Sequence, residues 1–167
     1  MRGLKPFWLC LVVWLWAGAL AAEPLPVPSG PVLLTLSGAI TETNAPGEAR
    51  FDRAMLEALG VERIRTKTAW TDGVKTFEGA SLAAVLQRVG AAGTHLQATA
   101  LNAYTVRLNP TVLRYNPILA MRVDDTVLTV RNRGPLWIVF PRDQYPELDN
   151  EASDDMWAWQ LSRLHVE

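Results

Sequence analysis

ILAMRVDDTVLTVRNRGPLWIVFP, residues 118–141, holds three apolar runs separated by Asp124-Asp125 and by Arg131-Asn132-Arg133-Gly134. Each run is too short for a helix of ordinary length and is rich in Ile, Val, Leu and aromatic residues, so PILAMRV, TVLTV and PLWIVF are read as strands. Upstream, HLQATAL and YTVRL read the same way, and Asn109-Pro110 caps a short helical turn over PTVLRY. Downstream, Trp157, Trp159 and Leu161 alternate while Leu164 and Val166 fall out of phase, which predicts a closing strand with a bulge near Ser162-Arg163.

The first half adds two strands and two helices. VLLTLSGAI is a strand. Asp52 is the N-cap of a short helix, with Phe51 placed to staple onto Leu56 and Gly60 as its stop. From Glu62 to Trp70, Ile64, Thr66, Thr68 and Trp70 share one face and Arg63, Arg65 and Lys67 the other, the order of a half-buried strand. KTAWTDGVKTFEG, residues 67–79, is read as a loop leading into a helix whose Leu82, Val85, Leu86 and Val89 make one face, ended by Gly90. Strands outnumber helices without regular interleaving, so the fold class is α+β, β-rich and mixed, not a doubly wound parallel sheet.

Three segments follow from composition. Residues 1–22 combine Arg2 and Lys5, an apolar run from Phe7 to Leu20 and the small residues Ala19-Leu20-Ala21, the order of a secretory signal peptide. Its apolar run is shorter than a spanning helix needs, so no membrane span is expected after cleavage, and the location is read as periplasmic or secreted. EPLPVPSGP, residues 23–31, reads as a proline-rich leader with little to bury, and residues 32–167 as one domain. The single cysteine, Cys10, lies in the signal, so no disulfide framework is available. Of 16 basic residues, removing Arg2 and Lys5 leaves 14 against 17 acidic, a formal charge of −3 that gives no footing for nucleic acid.

The order LNAY (101–104), ILAMRVDDTVLTVRNRGPLWIVFP (118–141) and LSRLHVE (161–167), with the helix FEGASLAAVLQRVG before it, resembles the molybdopterin-binding domain of the sulfite oxidase family. The resemblance implies a sulfite-oxidase-type fold over roughly residues 32–167, and molybdopterin as the family's cofactor. It also implies where chemistry would lie. Catalytic members hold molybdenum through a cysteine thiolate at the end of the strand before that helix; here Thr66 or Thr68 stands there. A threonine hydroxyl is a hard, weakly acidic oxygen and does not replace a soft thiolate. The family's Asp-Gly-Tyr step is Asn102-Ala103-Tyr104, and Trp159 falls where a lysine is usual.

The expectation is therefore a domain without molybdenum redox catalysis, with no catalytic residue, metal ligand or resident cofactor assigned. Trp70, Asp72, Lys75, Asn102, Tyr104 and Trp157 are the candidate pocket residues, and a small molecule or another exported protein is the expected partner. Two alternatives stand beside this: a molybdopterin-dependent oxidoreductase with a non-cysteine metal site, and a sensor or accessory subunit docking on an exported protein. His95 and His165 are read as scattered surface histidines, and ELDNEASDD, residues 147–155, as a solvated acidic loop.

Overall fold

The computed structural model describes residues 23–167. The segment read as a signal peptide, with Cys10, lies outside them; among the described residues no helix is long and apolar enough to cross a membrane.

Two five-stranded sheets share one apolar core. In chain order the elements begin with β1 (Leu34–Gly38), β2 (Glu48–Phe51), α1 (Arg53–Ala58), β3 (Val61–Thr66), β4 (Lys75–Ser81) and α2 (Leu82–Arg88). They continue with β5 (Leu96–Ala100), β6 (Thr105–Leu108), β7 (Ile118–Val123), β8 (Thr126–Val127), β9 (Trp137–Val139), α3 (Glu151–Asp154) and β10 (Leu161–Val166). The first sheet has the order β2-β1-β10-β5-β6; the second runs β3-β4-β7-β8, with β9 also on β7. Among the described residues only β1 and β10 pair in parallel, so β10 closes the domain against β1. This is the mixed α+β class expected from the pattern.

The local signals account for much of this. Asp52 caps α1, its Oδ1 accepting the Met55 amide at 2.9 Å, and Phe51 and Leu56 on either side of the cap are both in the core. Asn109 Oδ1 accepts the Thr111 amide at 2.9 Å and opens the helical turn Pro110–Tyr115. The closing strand has its register shift between Leu161 and Arg163, where loss of alternation placed a bulge.

Three readings are corrected. The stretch 67–79 is not a loop throughout: Lys75–Ser81 is β4, which pairs with both β3 and β7 inside the second sheet. A strand buried on both faces shows no alternation, and Gly79 sits where any side chain would collide with the Leu119 carbonyl, so its small residues mimicked a turn. TVLTV is a strand only at Thr126–Val127; Leu128 turns into the core and Val130–Asn132 forms a tight turn. The leader is extended but does bury something. Leu25 is 6 % exposed and joins the core, Asn44 Nδ2 donates to the Pro26 carbonyl at 2.6 Å, and the Ser29 and Gly30 amides donate to Asp52.

Candidate functional site

Residues after β3 decide whether the fold can hold a metal. Ile64 and Thr66 point inward and Arg63 and Arg65 outward, as alternation requires, but the strand ends at Thr66. Thr66 is fully buried, and its Oγ1 accepts the Asp143 amide at 3.1 Å and donates to the Lys67 carbonyl at 3.3 Å. The Lys67 amide returns to Asp143 Oδ2 at 3.3 Å, so the turn Arg142–Gln144 is clasped to the end of β3. Thr68, also buried, accepts the Trp70 amide at 3.1 Å and exchanges a hydrogen bond with the Thr71 hydroxyl at 2.8 Å. Both hydroxyls are thus occupied in holding backbone, and a hard neutral oxygen so committed does not suit the place of a soft thiolate. Among the described residues no three His, Cys, Asp or Glu side chains converge as metal ligands. The residues present do not fit a molybdenum centre.

Trp70 closes the space beside these threonines. Its ring lies 6.1 Å from Trp137, edge-on, and 6.1 Å from Trp157, and Trp137 in turn packs edge-on against Phe77 of β4 at 5.4 Å. Trp157 is 1 % exposed, so it belongs to the core and does not wall an open pocket. Its partner Trp159 faces out. The segment between them carries the chain from the second sheet to the first: the Ile138 amide donates to the Ala158 carbonyl and the Leu161 amide to the Leu136 carbonyl, each at 2.9 Å. The indole N–H groups of Trp137 and Trp157 are buried without an acceptor among the described residues.

The other candidates separate into two places. Lys75 pairs with Asp124 at 2.9 Å, and the hydrogen bond its ammonium donates to that carboxylate holds it above the usual lysine range. Asp124 is held below the usual carboxylate range chiefly by the Thr76 amide, then by Lys75. Asp72 lies exposed in the loop, near enough to add to the field at Lys75. Elsewhere, Asn102 Oδ1 accepts the Tyr104 amide at 3.1 Å, and the Tyr104 hydroxyl donates to the Asp155 carbonyl at 3.3 Å. The structure therefore brings Trp70 to Trp157 and Asn102 to Tyr104, and commits Lys75 to Asp124. None of the six lines the larger surface grooves described.

Sequence reading missed two features. Arg142 grips the acidic loop 147–155, reaching Asp149 at 2.6 Å and Asp154 at 2.7 Å, so that loop is tied down as well as solvated. A groove of about 720 Å³ lies between the leader and α1, lined by Leu25, Val27, Phe51, Met55, Leu59 and Arg88. The apolar Leu25 and Val27 within EPLPVPSGP were the available signs of it.

Two sheets joined by an aromatic core, with the closing strand between β1 and β5, define the chain as a mixed α+β domain. Among solved structures it is similar to the sulfane dehydrogenase SoxCD from Paracoccus pantotrophus, with a TM-score of 0.60 at 15% sequence identity. The match covers 81% of this chain and 38% of that one, so the chain spans well under half of the neighbour's length. No protein-family model and no curated sequence matches the chain.

Proposed function

We propose that this chain is an exported binding or accessory domain built on a molybdopterin-oxidoreductase fold and that it carries out no molybdenum redox chemistry. The observation that carries this reading is the commitment of Thr66 and Thr68: the position that would need a thiolate holds two buried hydroxyls, one fastening the Arg142–Gln144 turn and the other the Trp70 loop. Trp70 packed on Trp137 and Trp157 fills the adjoining volume, so a ligand does not enter there without displacing an aromatic cluster. A small apolar molecule has a place in the groove beneath the leader, whose volume of about 720 Å³ lies within the usual range for ligand sites.

The test restores the missing ligand. Thr66→Cys and Thr68→Cys, each expressed with a functioning molybdopterin pathway and exported, are expected to gain no molybdenum, because a first ligand depends on neighbours that orient it. Stoichiometric molybdenum in either variant would show that the cleft is intact and that the thiolate alone is missing, which contradicts the reading.

A further inference from the structure

Four large apolar side chains left open to solvent lie together: Leu101 is 52%, Tyr104 45%, Val130 55% and Trp159 37% exposed. Their proximity follows from the hydrogen bonds beneath them. The Leu101 amide donates to the Gln160 carbonyl at 2.9 Å, next to Trp159, and the Gln160 side-chain amide donates to the Val130 carbonyl at 2.8 Å. Tyr104 is anchored at the far side through Asp155. Beside Leu101 the strip continues into a groove of about 500 Å³ lined by Val32, Ala103, Pro135 and Arg163.

The charges along this strip are ordered. Asp155 is exposed at the Tyr104 end, Arg131 is exposed at the Val130 end, and none of Asp155, Arg131 and Arg133 has an ion-pair partner among the described residues. The Arg133 guanidinium lies 5.9 Å from the Trp159 ring and 5.6 Å from Trp137, within cation–π reach of both. Acid at one end, base at the other and Tyr, Trp and Leu between them make a surface complementary to its own two-fold image. Exposed apolar patches with polar rims mark contact sites, and Trp, Tyr and Arg are the residues that dominate them.

We propose that this strip is the face of a homodimer, with Asp155 of each chain set against Arg131 of the other and the two Trp159 rings near the axis. A stable dimer buries about 800 Å² per partner, so the groove at Val32 and Pro135 must be covered along with the four exposed side chains. The proposal goes beyond the non-redox reading and does not depend on it: oligomeric state tests the one and metal content the other.

The experiment is sedimentation equilibrium of the exported protein across a concentration series, with circular dichroism confirming that each variant is folded. The wild type is expected to dimerise with a dissociation constant on the order of micromolar, and Trp159→Ala to weaken it by about tenfold or more. Asp155→Arg and Arg131→Asp should each be monomeric alone, and mixing the two should produce a heterodimer, because both charged contacts across the axis then join opposite charges. Arg131 is exposed and has no ion-pair partner among the described residues, so its exchange breaks no charged contact within the chain. A wild type that stays monomeric throughout would overturn the proposal, as would a dimer indifferent to Trp159→Ala or a charge-exchanged mixture that fails to associate.

Discussion

Asp52→Ala removes one carboxylate that performs two structural tasks. Its Oδ1 caps α1 by accepting the Met55 amide at 2.9 Å, while Oδ2 accepts the Ser29 amide at 2.7 Å, the Gly30 amide at 2.8 Å and the Ser29 hydroxyl at 3.3 Å. Loss of the cap costs about 1 kcal/mol. The two leader amides add about 1 kcal/mol each, since charge-assisted bonds lie above the neutral average but the freed leader recovers part of that from water. The sum, about 3 kcal/mol, lowers the thermal midpoint by about 9 °C for a domain of this size. Asp52→Asn keeps only one acceptor oxygen and should lose about half as much. Those same bonds, led by the Met55 amide, hold the Asp52 carboxyl below its ordinary 3.8. A depressed carboxylate contributes stability that is fully present above the unfolded value and lost as pH falls through the folded one. The gap between wild type and Asp52→Ala should therefore stay constant above about pH 5 and narrow below 3.8. Chemical denaturation across that range measures it. A loss under about 1 kcal/mol at neutral pH, or a gap that ignores pH, would refute the account of how the leader is held.

Arg142→Ala should cost about 1–2 kcal/mol, chiefly because it leaves the 19% exposed Asp154 unpaired, while the 71% exposed Asp149 is screened by water; hydrogen exchange should show faster exchange in residues 150–157 with little change in β1. Trp157→Phe should cost no more than about 1 kcal/mol, since the lost area is offset by removing a buried N–H that has no acceptor. Trp70→Ala, which strips the ring from both Trp137 and Trp157, should cost about 2–3 kcal/mol and shift tryptophan fluorescence to the red as those rings meet water. Equal losses for the two tryptophan variants in denaturant unfolding would contradict the packing described.

What the sequence made legible was what is written locally. The Asp52 and Asn109 caps and the bulge in β10 depend on neighbours within a few residues, and each is found where the pattern placed it. β4 was hidden because burial on both faces replaces alternation with small residues, and Gly79 there answers to the Leu119 backbone across the sheet. The candidate site was legible only in fragments. Trp70 and Trp157 do meet, and Asn102 and Tyr104 do meet, but whether a tryptophan lines a pocket or fills it depends on packing from Trp137, Phe77 and Phe140, which no short stretch encodes. Likewise, Lys75 looked available until β7 brought Asp124 beside it.

The central proposal is that Thr66 and Thr68 serve as backbone clasps at the place where the resemblance to the sulfite oxidase family implies a thiolate. The most direct measurement is the molybdenum content of the unmodified protein, purified after export from cells with an active molybdopterin pathway. The account predicts no stoichiometric molybdenum; one molybdenum per chain would contradict it.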